Sequence, residues 1–231
     1  MSHPPRPVRI VLVGTGTSVG KTWLATELLR ELARRAVPAV GLKPIESGVV
    51  EGVTSDAEQL AGLSAAAPAT PPFRLPEPIS PHLAARRAGV AIALDAALTY
   101  VRSQESSSAQ SAPRVVLVET AGGLFSPLTD SATCFELARA LDPARWVLVA
   151  ADALGVIHDV TAALLAAKAR GRVPDFVVLS AARAADASTG SNAAELARLG
   201  IVQRPFALGR DDSAGVAALV DALLEPAATA P

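Results

Sequence analysis

Residues 14–22 read GTGTSVGKT and stand between the apolar run Val8 to Val13 and the helix-forming segment WLATELLRELARRA. A glycine-rich turn in that setting presents successive backbone N–H groups and the start of a helix, and both attract a polyphosphate. Lys21 would reach the β and γ oxygens, and the Thr22 hydroxyl would ligate Mg²⁺. Five residues rather than four separate Gly14 from Gly20, a departure from the strict pattern. The strand, loop and helix context is nevertheless what the chemistry requires, and the competing reading is a plain glycine turn capping a helix.

Lysine usage isolates a second candidate. The chain holds three lysines, Lys21, Lys43 and Lys168, in a sequence where arginine is common. Lys21 and Lys43 both follow predicted strands. A compact ammonium suits a transferring phosphoryl group or a crowded carbamate where a planar fork would not. Lys168, late in an Ala-rich helix, reads as a solvated cation near a helix end. The apolar strand Val115 to Val118 runs into Glu119. An acid there is a poor structural choice unless a cation meets it, so it reads as a Mg²⁺ ligand, against a helix cap or an ion-pair partner. Asp56 opens a helix in VTSDAE, and spacing alone leaves it a cap or a ligand.

Positioning these groups requires alternating strands and helices. Apolar runs at 8–13, 39–43, 114–119, 146–151, 175–180 and 201–205 predict strands buried on both faces. Ala/Leu-rich segments predict helices at 20–36, 56–66, 81–88, 94–104, 131–141, 156–170, 191–199 and 212–224. The expected fold class is α/β, with one domain over 1–231, a mostly parallel doubly wound sheet, helices on both faces and ligands at the carboxyl ends of the strands. Residues 1–7 and 225–231 read as tails and 104–112 as a surface loop. Pro68 to Pro81 holds six prolines and predicts an extended stretch, either a wall of the substrate pocket or a crossover connection. Trp23, Trp146 and Cys134 read as core residues.

Composition excludes several classes. A net charge of −1 with scattered basic residues gives nucleic acid no face to bind. Cys134 is the only cysteine, which excludes an internal disulfide and a Cys-rich zinc site and suits a reduced cytoplasm. No apolar stretch has the length of a signal peptide or a membrane span, so a soluble cytoplasmic protein is expected. His3, His82 and His158 are isolated and lack carboxylate spacing, so no histidine metal site is expected. His82 reads as a helix-start residue in the pocket wall.

The blocks GTGTSVGKT (14–22), GLKPIESG (41–48), SDA (55–57), SPH (80–82), VETAGGLFSPL (118–128) and ALG (153–155) occur together in one order. In this the chain resembles the dethiobiotin synthetases, a family with the P-loop NTPase fold, over roughly its first 160 residues and more weakly onward to Pro205. The resemblance implies an ATP- and Mg²⁺-dependent cyclo-ligase that joins CO2 to the two amines of 7,8-diaminopelargonate. It implies Lys21 at the transferring phosphoryl group, Lys43 beside the carbamate, and Thr17 and Ser47 hydrogen-bonded to the carbamate or amines. Thr22, Asp56 and Glu119 would share Mg²⁺. The nucleotide would lie along Ser18, Val19, Gly20, Lys21, Thr22 and Trp23, with Asp56, Glu119, Thr120, Ala121, Gly122, Ser180 and Pro205. The substrate would meet Gly122, Gly123 and Pro127. At a homodimer interface, the helix start Leu154, Gly155, Val156 and Ile157 of a second copy would receive the substrate carboxylate.

Five places depart from the family pattern. Gly16 and Ser18 stand where relatives often carry Asp and Glu, Thr120 replaces a glycine, and His158-Asp159 replaces Asn-His. Ser180 stands where many relatives use Asn to read adenine, which leaves other nucleoside triphosphates open as substrates. Rival readings are a switch or partitioning ATPase, a glutamine-dependent amidoligase and a paralogue acting on another diamine. The switch class carries an extra lysine in its phosphate loop, and none occurs between Gly14 and Gly20. The chain is too short for a glutaminase domain.

Overall fold

The computed structural model describes residues 6–105 and 113–226. In chain order the elements are β1 (Val8–Gly14), α1 (Lys21–Arg34), β2 (Ala39–Leu42), β3 (Ile45–Ser47), α2 (Asp56–Gly62), β4 (Phe73–Leu75), α3 (Pro81–Arg87) and α4 (Leu94–Glu105). They continue as β5 (Val115–Glu119), α5 (Cys134–Ala140), β6 (Arg145–Ala151), α6 (Val156–Ala169), β7 (Phe176–Ser180), α7 (Asn192–Arg198), β8 (Phe206–Leu208) and α8 (Ser213–Leu224). Six strands form one sheet in the order β2-β5-β1-β6-β7-β8, and every pairing is parallel.

The sheet is apolar on both sides because helices cover both. Along β1, Ile10 and Leu12 pack with Leu28 and Leu32 of α1 and Val220 of α8. The alternate residues Val11 and Val13 pack on the other face with Val101, Phe135 and Val160. In α1, Leu24, Leu28, Leu29 and Leu32 recur at helical spacing and all are buried. The chain leaves β1 for β2 on one side and crosses from β5 to β6 on the other. The crevice this opens at the carboxyl end of β1 is where ligands bind in sheets of this kind. Register puts Leu12 beside Glu119 and Gly14 beside Val149, so the phosphate loop and Glu119 emerge next to each other.

Trp146 begins β6 fully buried, with the Phe135 ring edge-on at 5.4 Å and the Arg172 guanidinium 5.7 Å from its ring centre. Trp146→Ala is expected to cost about 3–5 kcal/mol of stability, read by chemical denaturation, because the cavity cannot collapse within a close-packed sheet.

The structure corrects several expectations. Residues 201–205 are not a strand: the last strand is Phe206–Leu208, which pairs with Val178 to Ser180. Pro205 lacks the N–H a ladder needs, and Gln203 and Arg204 are exposed. A second, two-stranded parallel sheet of β3 and β4 pairs Ile45 with Phe73 and lies partly in the proline-rich stretch. Helix α2 ends at Gly62 rather than at residue 66, and Ser64 turns its hydroxyl to accept the Gly41 N–H at 2.9 Å. Helix α5 starts at Cys134 rather than at residue 131. Gln104 and Glu105 belong to the expected loop 104–112 but complete α4, while 106–112 lie outside the described residues. Of the expected tails, 1–5 and 227–231 also lie outside them. No helix among the described residues is long and apolar enough to cross a membrane.

Candidate active site

Gly20 ends the phosphate loop at φ +94°, a left-handed conformation that glycine adopts without strain. No side chain caps α1, so its first N–H groups face the loop. Gly14 is as constrained by space, since a Cβ there would lie 2.9 Å from the Gly16 carbonyl. Lys21 is buried and donates to that carbonyl at 2.9 Å. Burial pulls its pKa below the ordinary lysine value, with Glu119 opposing and Lys43 adding to the fall.

Lys43 leaves the end of β2 and lies between two acids. Its Nζ donates to Glu119 Oε1 at 2.8 Å and to Asp56 Oδ2. Burial alone would favour the neutral amine, but Glu119 and Asp56 outweigh it and hold the pKa above the ordinary value. Thr22 Oγ1 donates to the same Glu119 oxygen at 2.9 Å. Glu119 is 1% exposed, and its Oε2 is buried with no hydrogen-bond partner among the described residues. An oxygen of this kind, beside a threonine hydroxyl and a second carboxylate, fits a hard divalent cation that takes oxygen ligands. Asp56 is not the cap of α2. Ser55 is, in a capping box with Glu58, which leaves the Asp56 carboxylate free to meet Lys43. Glu46, which sequence reasoning missed, is buried and accepts the N–H groups of Asp56 at 2.7 Å and Ala57 at 3.4 Å. Burial raises its pKa. Its signal was a carboxylate set inside the apolar β3 segment, which must find donors.

Lys21, Thr22, Lys43, Asp56 and Glu119, but not Glu46, share one cleft of about 300 Å³, which Thr17, Ser18, Gly20, Trp23, Gly122, Arg183 and Arg210 also line. Gly122 bends there at φ +72°, and a Cβ on Gly123 would lie 3.0 Å from the Thr15 carbonyl, so the turn packs directly on the phosphate loop. Trp23 is half-buried, packed against the edge of the core and also lining the cleft, and the Arg210 guanidinium lies 5.2 Å over its ring. Arg183 and Arg210 were not foreseen, because nothing in the sequence separates them from the solvated arginines.

Other expected residues lie elsewhere. Thr120 turns back to the Leu12 carbonyl at 3.1 Å. The Ala121 carbonyl accepts the buried Cys134 thiol, whose pKa burial pushes up to about 12. Ser180 donates to the Val19 carbonyl at 2.6 Å. Ser47 ends β3 opposite Leu75, Pro127 bridges to Thr133, and Pro205 precedes β8. None of Val19, Ser47, Thr120, Ala121, Gly123, Pro127, Ser180 and Pro205 lines this cleft, nor does any residue of 68–81. His82 Nδ1 is buried without a partner among the described residues. Leu154, Gly155, Val156 and Ile157 open α6 away from the cleft; Leu154 is 85% exposed and gives its N–H to Asp186 at 2.8 Å. A larger cavity of about 800 Å³ opens at the amino ends of β7 and β8 and contains none of these groups.

An ATP-dependent dethiobiotin synthetase of Anaeromyxobacter sp. (strain Fw109-5) is 36% identical over 195 residues, which cover 82% of this chain and 84% of that protein. Another, from Anaeromyxobacter dehalogenans (strain 2CP-1), is 37% identical over 203 residues, or 86% of this chain and 88% of that one. The chain belongs to the dethiobiotin synthetase family. Residues 8–208 of this dethiobiotin synthetase family member also match a family described as an AAA domain. Among solved structures, the MinC:MinD cell division protein complex of Aquifex aeolicus aligns with a TM-score of 0.54 and 11% identity over 97% of this chain and 98% of that one. That likeness is one of fold alone.

Proposed function

We propose that this protein uses ATP and CO2 to close a cyclic urea on 7,8-diaminopelargonate, giving dethiobiotin, ADP and phosphate. The observation that carries the reading is the convergence of two buried ammonium groups, Lys21 and Lys43, on one phosphate-loop cleft with Glu119 and Asp56. One amine adds to CO2 and loses a proton, giving a carbamate. The γ-phosphoryl group passes to a carbamate oxygen as ADP leaves, and the second amine attacks the carbonyl carbon and expels phosphate.

Every step gathers negative charge on oxygen, so the protein's work is positioning and electrostatic stabilisation, and no covalent nucleophile is needed. Lys21 steadies the phosphoryl group in transfer, and Lys43 stands beside the carbamate. Thr17, which lines the cleft, orients the carbamate or the amines, and the family resemblance alone adds Ser47 to that task. Thr22, Asp56 and Glu119 would hold Mg²⁺, which when bound neutralises charge on the triphosphate. In a homodimer, a second copy's α6 start would receive the substrate carboxylate. Leu154 and Val156 already donate to Asp186 and Ala153, so the receiving amides are those of Gly155 and Ile157.

Purified protein mixed with Mg·ATP, bicarbonate and 7,8-diaminopelargonate should accumulate dethiobiotin, detected by mass, with one ADP per product. Triphosphate hydrolysis without a cyclic urea would overturn the reading in favour of a switch ATPase or a paralogue for another diamine.

A further inference from the structure

Arg183 and Arg210 line the cleft, yet the reaction above gives neither a task. Arg183 arrives on the connection from β7 to α7 and Arg210 on the connection from β8 to α8, and both are exposed. Arg9, Arg34, Arg35, Arg74 and Arg170 each meet a carboxylate, and the described arginines without an ion pair, such as Arg86, Arg139 and Arg204, lie away from this cleft. Among the described residues, neither Arg183 nor Arg210 has an ion-pair or hydrogen-bond partner; Arg210 only stacks over Trp23.

The cleft therefore gathers four cationic side chains, Lys21, Lys43, Arg183 and Arg210, against the two carboxylates Asp56 and Glu119. Both carboxylates are already engaged with Lys43. Like charges converging on one concavity repel unless a polyanion joins them, and a guanidinium fork matches phosphate oxygens two at a time. At the end of β7, packed against the phosphate loop at Gly20, Ser180 is 1% exposed, and its single donor goes to Val19. A hydroxyl so held has no donor left for a nucleobase edge, and its burial keeps its acceptor lone pairs from one as well.

We infer that Arg183 and Arg210 are triphosphate ligands, and that with Ser180 turned into the loop this chain selects its nucleotide by phosphate number rather than by base. The inference rests on the nucleotide-dependent reading above and adds the groups that set its specificity.

Equilibrium binding of ATP, GTP, CTP, ADP and inorganic tripolyphosphate, each with Mg²⁺, tests it on the full chain. For the unaltered protein, GTP and CTP should bind within about tenfold of ATP, tripolyphosphate should compete with all three, and ADP should bind less tightly than any of them. Arg183→Ala and Arg210→Ala should each weaken the three triphosphates alike, by about tenfold to a hundredfold, the usual worth of a hydrogen bond to a charged group. Raising the salt should shrink the difference. Arg210→Lys keeps the charge and should recover part of the loss, which separates phosphate binding from mere propping of Trp23. Lys168→Ala, which removes a cation far from the cleft, should change nothing. The inference is overturned if the arginine variants bind within twofold of the parent at low salt, or if ATP is preferred over CTP by more than a hundredfold. Continued dethiobiotin synthesis in that case leaves the reaction standing. A parent protein that takes up no triphosphate removes the reaction itself.

Discussion

Lys43→Gln should abolish ring closure, with a fall in turnover of at least about a thousandfold, while Mg·ATP still binds within a few-fold of the parent. The separation of the two effects is the informative part. In the proposed reaction Lys21 and the loop amides would meet the phosphates without help from Lys43, whose ammonium is held by Glu119 and Asp56. Removing one preorganised donor from a developing oxyanion costs about 10²–10³ in rate, and a full positive charge in a site of low dielectric is worth more. Glutamine keeps a donor on a side chain one atom shorter but supplies no charge. Stability should fall as well, by roughly 3–5 kcal/mol at most, because Glu119 is left buried without its counter-charge. Product formation by mass and nucleotide titration by calorimetry read the two effects separately. A variant that keeps most of its activity removes Lys43 from the reaction.

Gly20→Ala should have the second largest effect, a loss of triphosphate affinity beyond a hundredfold together with a lower melting temperature. The glycine is at φ +94°, where a side chain costs about 1–2 kcal/mol. Its Cβ would also lie 2.3 Å from Ser180 Oγ and 2.8 Å from Ser180 Cβ. Ser180 cannot easily retreat, because it is buried and its hydroxyl holds the Val19 carbonyl at 2.6 Å. The loop must then shift, and the amides that cradle phosphate shift with it. Adding Ser180→Gly should restore part of the stability by removing the clash, but not the part owed to φ. A Gly20→Ala protein that binds ATP like the parent would show that the loop does not hold phosphate in the conformation described.

Much of this was legible from residue order, and the failures have identifiable physical causes. The β1 strand, the loop and α1 announced themselves through an apolar run, a glycine cluster and a leucine stripe. Lys43 stood out because lysine is rare in an arginine-rich chain, and Glu119 because an acid ending a buried strand must meet a cation. The three-residue strands β3 and β4 carry too few residues for any period to appear. The cap of α2 and the start of α5 were missed although the sequence did mark them: Ser55 with Glu58 and Thr133 with Glu136 are capping boxes, which name Ser55 rather than Asp56 as the cap of a helix correctly begun at residue 56, and begin α5 at Cys134. Ser180 and Arg210 were opaque for another reason. Where a side chain points at the mouth of a sheet depends on loops that approach it from distant parts of the chain.

The Lys43 ammonium carries one further consequence. A protein that ties its own cation to the acids of its cleft does not hinge its folding on dissolved divalent ions, unlike small metallo-domains that collapse when stripped by a chelator. The tether also keeps that ammonium at a very high effective concentration beside Asp56 and Glu119, so a solvated ion arriving alone faces a resident competitor. An ion delivered already complexed to polyphosphate brings its own additional attachments and can prevail.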